Sequence, residues 1–267
     1  MHSRQAQSGF SLVELSIVLV ILGLLTGGIL AGQSLIRAAE LRSITSEFQR
    51  YSAAVYAFRD RYMALPGDMS NATRFWGLVD TANGCTSNHG LATASMSGTC
   101  DGNGNGVLQS AAGAGFHGEA FHTWRQMALA GLIEGTYNGM SGIAGGLTVD
   151  PGLNVPISRL NGASWLIVSR SGGDANFYAL PTNNLMQFGA QQSSGSNYRA
   201  ILKPEEAWNI DTKMDDGKPA QGTVWAIHWD NKCATAESGA TTNTNYNARY
   251  RLEDSTVQCA LLFFARF

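Results

Sequence analysis

The chain has 267 residues, of which 44% are hydrophobic, enough to bury the core of one globular domain and to carry an additional segment. Charged residues make up only 14%, below the roughly one-quarter that is usual for soluble domains, and the formal net charge is −2. This balance gives no reason to expect nucleic acid or an acidic membrane surface as the main partner.

The N-terminal region combines a polar start with a long apolar run. Residues 1–9 are polar and lightly basic, and Glu14 is the only charge between Phe10 and Arg37. The uncharged stretch from Leu15 to Ile36 is long enough for a membrane helix, which needs roughly 20 residues. A cleaved signal peptide or a plain membrane anchor would leave the buried acid unexplained. Because an ionisable group in a membrane is costly, Glu14 is a candidate functional residue.

The segment GFSLVEL at residues 9–15 resembles the N-terminus of type IV prepilins. In that family a dedicated peptidase cuts after the glycine, the new terminal phenylalanine is N-methylated, and the glutamate at the fifth mature position is important for filament assembly. The resemblance implies that Gly9 is the cleavage residue, Phe10 the methylated terminus and Glu14 the assembly glutamate. Residues 1–9 are then a leader peptide that prepilin peptidase removes.

A physical argument supports these roles. Cleavage after Gly9 would expose an amine with a pKa of about 8, which is mostly cationic at neutral pH. Opposite charges attract far more strongly in a low dielectric than in water. Glu14 of an incoming subunit can therefore neutralise the amine of Phe10 in a neighbour, and each charge removes the other's desolvation penalty. We expect this pair to set the register and apolar packing to supply the affinity.

One long helix is predicted for residues 10–65, because no proline interrupts this stretch and Pro66-Gly67 follows it. Residues 10–36 are apolar on every side and suit a membrane or a filament core, and their four glycines would let neighbouring helices approach closely. Residues 37–65 are amphipathic and suit either the back of a globular domain or an ordinary coiled coil. Their apolar stripe consists of Leu41, Ile44, Phe48, Tyr51, Val55, Phe58 and Tyr62.

Residues 66–267 are predicted to form a globular extracytoplasmic domain. A loop rich in Gly, Ser, Thr and Asn comes first, and helices are predicted from Glu119 to Leu132 and from Pro204 to a stop at Gly217. A long helix followed by an antiparallel sheet gives the α+β class, and the arrangement resembles the pilin fold. The predicted strands are Ser164–Ser169, Asn176–Leu180, Thr223–Trp229 and Val257–Phe264.

The four cysteines contain no C-x-x-C pair, which argues against structural zinc. Their even number downstream of a membrane segment suits disulfides in an oxidising compartment. We favour Cys85–Cys100 and Cys233–Cys259, because each pair closes a short loop; four free thiols are the alternative. The Cys233–Cys259 pair also resembles the disulfide-bounded C-terminal region of many pilins.

A candidate calcium site begins at Asp101, which Asn103 and Asn105 follow at the spacing of the first ligands of an EF-hand-like loop. Ala112 occupies the position of the usual twelfth-residue glutamate, so Glu119 would have to supply that carboxylate. The resemblance to pseudopilins adds weight, because major pseudopilins use calcium for stability. The alternative is a plain Asx-Gly turn beside Cys100.

Other patterns in the chain do not indicate an enzyme. His117 and His122 are five residues apart and do not share a helix face as zinc ligands would. A G-x-G-x-x-G match at residues 113–118 follows no predicted strand, and no G-x-S-x-G motif is present. The acidic group formed by Asp211, Asp215 and Asp216 is more typical of a solvated loop than of a metal site.

The sequence therefore predicts a structural subunit of a type IV pilus or of a type II secretion pseudopilus. The alternatives are a minor or tip pilin with an adhesive role, and a single-pass anchored extracytoplasmic protein that never polymerises. The implied partners are other pilin subunits, prepilin peptidase and an inner-membrane assembly platform. The expected location is the inner membrane before assembly and a periplasmic or extracellular filament afterwards.

Overall fold

A computed structural model describes residues 11–79, 85, 98–109, 118–141, 147–173, 176–192, 196–228, 231–235, 244–265 and 267. The chain forms two compact units, and the boundary between them falls after Arg42. Gly9 and Phe10, on which the predicted processing depends, lie outside the described residues. The predicted limits of leader, helix and globular domain stay predictions.

The first helix, α1, spans Leu12–Tyr62 and crosses the boundary between the units. Met63 follows with a left-handed backbone (φ 53°), and Pro66 then supplies no N–H that could continue the helix. Within the second unit, α1 buries one face and exposes the other, as the apolar spacing predicts. The buried members of the predicted stripe are Ile44, Tyr51, Val55 and Phe58.

A four-stranded antiparallel sheet forms the other layer of the second unit in the described part of the chain. Its order is β1-β2-β4-β3, so the last strand in sequence lies inside the sheet. Together with α1, this sheet confirms the predicted α+β, pilin-like class. The strands are β1 (Ala163–Gly172), β2 (Leu180–Ala190), β3 (Val224–Ile227) and β4 (Ala260–Phe263).

Aromatic rings fill the space between α1 and the sheet. Trp165 on β1 is fully buried, with its ring centroid 4.8 Å from Phe188 on β2 and 5.3 Å from Phe263 on β4. From the helix, Phe48 stacks on Phe263 at 5.0 Å and Tyr51 meets Trp165 at 6.0 Å. Burying each such side chain contributes about 1.5–3 kcal/mol, so these rings anchor the helix to the sheet.

A buried carboxylate fixes α1 against the same sheet. Glu47 accepts hydrogen bonds from the backbone N–H of Arg159 at 2.8 Å and from the indole N–H of Trp165 at 2.7 Å. Since both donors would lose their partner, Glu47→Ala is expected to lower the free energy of unfolding by about 3 kcal/mol. Urea titration of the detergent-solubilised chain, followed by circular dichroism, measures the loss.

Asp60→Ala is the matched control, since Asp60 is an exposed carboxylate on the same helix. Its effect should stay within about 0.5 kcal/mol. Equal losses for the two variants would show that the Glu47 contacts do not stabilise the domain.

Three shorter helices complete the described elements. The predicted α3 covers Glu119–Leu129 and the predicted α4 covers Pro204–Met214, with Pro204 in the first turn. The four-residue helix α2, Thr73–Trp76, was not predicted. The sequence spacing places Phe121, Trp124, Met127 or Ala128, and Leu132 inward. Phe121, Trp124 and Met127 are fully buried, whereas Leu132 lies beyond the end of α3 and is only partly buried.

One predicted strand was wrong. Of the predicted strand Asn176–Leu180, only Leu180 belongs to a strand, as the first residue of β2, which continues to Ala190. Pro181 lies near its start, where a missing N–H is tolerated. Gln187 interrupts the apolar pattern, but its side-chain N–H groups bind Ser196 at 2.7 Å and Asn197 at 2.8 Å. Loop residues therefore satisfy a polar group that would otherwise argue against a buried strand.

Two disulfides, Cys85–Cys100 and Cys233–Cys259, pair all four cysteines. This is the pairing favoured from the sequence. Cys259 immediately precedes β4, and its backbone pairs with Leu202 just before α4. The second disulfide therefore ties the segment around Cys233 to the point where the chain enters the middle of the sheet.

Candidate functional site

Two side chains at the start of α1 form hydrogen bonds that cap the helix. Ser11 Oγ accepts a hydrogen bond from the Val13 N–H at 3.2 Å, and Glu14 Oε2 accepts one from the Ser11 N–H at 2.8 Å. This reciprocal arrangement is a capping box, which gives partners to N–H groups that a helix start leaves without them. The carboxylate also lies at the positive end of the helix dipole. Within one chain, Glu14 is thus a helix cap, a role that the sequence analysis missed.

The helix surface that follows Glu14 is apolar on all sides. Every large apolar side chain between Leu12 and Ile36 that the structure shows as exposed has at least half of its surface accessible. By length and composition α1 can cross a membrane. An exposed apolar surface of this extent requires lipid or other helices as its environment.

The four glycines of this segment leave gaps along the helix. A Cβ atom added at Gly23, Gly27, Gly28 or Gly32 would meet no atom within 4 Å. Their spacing places pairs four residues apart, where small side chains permit close backbone approach between helices in lipid. The glycines are therefore not required by packing within the chain.

An apolar helix long enough to cross a membrane, which starts with a capping box and is joined to an α+β domain with disulfides, defines a class of protein: a domain carried on an N-terminal helix that can serve as a membrane anchor. A model of the prokaryotic N-terminal methylation motif matches residues 4–30, and this motif is characteristic of type IV pilins and pseudopilins. The match supports membership of that family, which is structural rather than enzymatic, and points to membrane anchoring and peptidase processing in general. Searches of curated proteins and of solved structures found no match.

The predicted calcium ligands are engaged in hydrogen bonds of their own. Asp101 caps α2, because its carboxylate accepts the N–H of Thr73 at 2.7 Å and the hydroxyl of Thr73 at 3.0 Å. Asn103 and Asn105 each accept the backbone N–H two residues further on, at 2.9 and 2.8 Å, as in Asx turns. These bonds are those of the plain Asx-Gly turn that was the alternative to a calcium site. Calcium binding stays a prediction.

Glu119 does reach this loop from α3, as predicted. Its two carboxylate oxygens accept the backbone N–H groups of Asn103 at 3.1 Å and Gln109 at 2.9 Å. Burial raises the pKa of Glu119, the two N–H donors oppose that rise, and the negative charge of Asp68 adds to it. Glu119 thus closes the loop by binding both of its ends.

Asp68 is the residue at the centre of the loop, and the sequence analysis did not single it out. Its carboxylate accepts the backbone N–H groups of Gly104 at 2.7 Å, Asn105 at 3.2 Å and Gly106 at 2.7 Å. Successive backbone N–H groups turned to one side form an anion-binding nest, and here the anion is a side chain of the same chain. Asp68 is almost completely buried, so this nest is a structural feature.

The turn before Asp68 is packed too tightly for any side chain. Gly67 has a left-handed backbone (φ 88°), and an added Cβ would lie 2.3 Å from the carbonyl oxygen of Glu119. Its N–H donates to the Gln126 side chain at 2.6 Å, and the carbonyl of Pro66 accepts the hydroxyl of Thr123 at 3.1 Å. The signal available in the sequence was the Pro-Gly-Asp run at the end of the long helix.

His122 is buried on α3, where its ring Nδ1 lies 3.2 Å from the hydroxyl of Thr99. Burial, together with the positive charge of Arg125, lowers its pKa to about 3. The imidazole is therefore neutral across the physiological range. His117 lies outside the described residues.

Proposed function

We propose that this chain is a structural subunit of a type IV pilus or of a type II secretion pseudopilus. The observation that carries the proposal is the exposed apolar helix that begins at Leu12, two residues after Phe10, with Glu14 in its first turn. Residues 10–36 form the membrane or filament-core part of the subunit, residues 37–65 the amphipathic part, and residues 66–267 the extracytoplasmic domain. Before assembly the subunit is anchored in the inner membrane. After assembly it is part of a periplasmic or extracellular filament.

Processing precedes assembly in this proposal. Prepilin peptidase removes residues 1–9 and leaves Phe10 as a methylated terminus. Apolar faces of neighbouring helices then pack together, with the carboxylate of Glu14 paired to the terminal amine of a neighbour. Other pilin subunits and an inner-membrane assembly platform are the partners that this mechanism requires.

The capping box lowers the cost of holding the Glu14 carboxylate in the membrane before assembly. The Ser11 N–H donates to its carboxylate and partly replaces water as a hydrogen-bond donor. An arriving amine carries a full charge, and a charge-assisted bond is roughly twice as strong as one to a neutral N–H. Glu14 is thus expected to exchange its own cap for the neighbour's amine.

The experiment that tests processing is mass spectrometry of the N-terminal peptide, on full-length protein expressed with a prepilin peptidase and extracted from membranes. We expect a terminus at Phe10 that carries one additional methyl group. Gly9→Val should leave residues 1–9 attached, because the peptidase requires the glycine. Gly27→Val, a matched change within the helix, should be processed normally.

An intact terminus in the unmodified protein would contradict the proposal and favour a single-pass anchored protein that never polymerises. A new terminus near Ala31 would instead indicate a conventional signal peptide. Quantitative mass spectrometry of sheared filaments then separates a major subunit from a minor or tip subunit by its abundance.

A further inference from the structure

A buried hydrogen bond joins α4 to the segment that carries Tyr250. Asp211 on α4 has no exposed surface, and its carboxylate accepts the phenol O–H of Tyr250 at 2.8 Å. Its other oxygen accepts the N–H of Gly217 at 3.1 Å. Tyr250 is itself almost buried and bridges to Ala234, next to the Cys233–Cys259 disulfide. One carboxyl group thus connects a helix end, the following loop and the C-terminal segment.

The charges that face Asp211 are negative. Carboxylate oxygens of Asp211, Asp215 and Asp216 lie within 4.8 Å of one another. Asp215 accepts the backbone N–H groups of Thr223 and Val224 at the start of β3, so its charge is fixed in place.

Positive charge near this group is confined to the surface. Lys218 Nζ lies 3.9 Å from Asp216, and the lysine side chain is 55% exposed. Lys213, in the last turn of α4, is also exposed. From the C-terminal segment Tyr250 faces Asp211, and Tyr178 in turn lies near Tyr250; burial raises the pKa of both phenols. No described cation therefore compensates a charge on Asp211 from within the core.

Burial raises the pKa of Asp211 to about 7, bonds from Tyr250 and Gly217 oppose that rise, and the charges of Asp216 and Asp215 add to it. In the unfolded chain an aspartate titrates at about 3.9. Because the folded-state pKa is the higher one, protonation of Asp211 favours the folded state. This contribution is complete below about pH 4 and is lost as the pH rises through about 7.

We propose that the bond between Asp211 and Tyr250 is a pH-sensitive fastening of the C-terminal segment to α4. It is closed while Asp211 carries a proton, because a neutral carboxyl can stay buried without opposing Asp215 and Asp216. An ionised carboxylate accepts the phenol O–H more strongly, but the cost of burying its charge is larger. It loosens when Asp211 ionises and places a third negative charge in the group. The fastening does not depend on filament assembly and acts in the single subunit.

Hydrogen–deuterium exchange of the full-length chain in detergent, at pH 6 and pH 8 with EDTA present and corrected for intrinsic exchange rates, tests the proposal. Peptides that cover Met214–Val224 and Asn245–Arg251 report the opening of the fastening. From a folded-state pKa of about 7, their protection is expected to fall about tenfold between the two pH values. Asp211→Asn keeps an oxygen acceptor for Tyr250 but cannot ionise, so its protection should not change with pH.

Asp254→Asn is the matched control, a partly exposed carboxylate outside the group that binds only Thr256 two residues on, and should keep the tenfold change. Asp216→Asn provides a second test that retains Asp211: removal of a facing charge lowers the pKa of Asp211 and should reduce the change between pH 6 and pH 8. The proposal is overturned if unmodified protein shows no change. It is equally overturned if Asp211→Asn keeps the full tenfold change. If Asp211→Asn does not fold, a full tenfold change in Asp216→Asn overturns the proposal instead.

Discussion

Replacing Glu14 with alanine is expected to reduce the yield of filaments at least tenfold. In the proposed assembly the amine of Phe10 then enters a low-dielectric helix bundle without a partner, which costs several kcal/mol. A loss of about 1.4 kcal/mol already corresponds to a factor of ten. The measurement is the amount of this chain in filaments sheared from cells that also express its assembly machinery, relative to the amount in membranes.

Glu14→Gln separates the two roles of this side chain. Glutamine serves in a capping box as glutamate does, so it preserves the bond to the Ser11 N–H, but it carries no charge for a neighbour's amine. We expect Glu14→Gln to fail as completely as Glu14→Ala. Ser11→Ala is the complementary variant: it removes the hydroxyl that caps Val13, at a cost of about 1 kcal/mol, and leaves the carboxylate.

Ser11→Ala should therefore assemble nearly as well as the unmodified chain. Normal filaments from Glu14→Gln would refute the pairing mechanism. If Ser11→Ala failed as severely as Glu14→Ala, the glutamate would act by starting the helix and not by aligning subunits.

The second large effect is expected at Asp68. Asp68→Ala removes the acceptor for three backbone N–H groups of the loop at Gly104, Asn105 and Gly106. Leaving a donor without a partner costs about 1–3 kcal/mol when it is buried, and this loop is partly open to water. We therefore expect the free energy of unfolding to fall by about 3 kcal/mol, measured by urea titration of the detergent-solubilised chain.

Asp101→Ala is the matched control for this loop. Asp101 is an exposed aspartate whose carboxylate caps only the short helix α2, so its removal should cost about 1 kcal/mol or less. A loss at Asp68 no greater than the loss at Asp101 would contradict the central role of the buried carboxylate. Stabilisation of the unmodified chain by added calcium that is lost in Asp101→Ala would instead support the calcium prediction for the loop.

Local signals in the sequence were sufficient to predict the long helix, and the processing expected at its start stays a prediction. The apolar run, the absence of proline and the Pro66-Gly67 stop act within a few residues of one another, and the structure places the end of α1 only three residues before the predicted one. The spacing of Phe121, Trp124 and Met127 likewise predicted three buried residues of α3, but not that every residue from Glu119 to Met127 is buried.

Features that depend on distant partners were missed. The partners of Asp68 lie 36 to 38 residues further along the chain, so no local pattern distinguishes it from an ordinary turn aspartate. β2 contains Gln187, which becomes compatible with a buried strand only through Ser196 and Asn197. Ser11 and Glu14 are an exception, because their capping pattern is local and a serine followed three residues later by a glutamate is its sequence signature.

The backbone hydrogen bonds of the two edge strands, β1 and β3, affect whether neighbouring domains can associate through their sheets. The outward N–H groups of Val224, Ala226 and His228 on β3 and just after it donate to Asp215, Pro219 and Asn176. On β1, the N–H groups of Trp165 and Ser169 donate to Pro156 and Leu108. Unsatisfied strand margins are templates for amyloid-like growth. Strand addition from a neighbouring domain is thus disfavoured at these positions of β1 and β3.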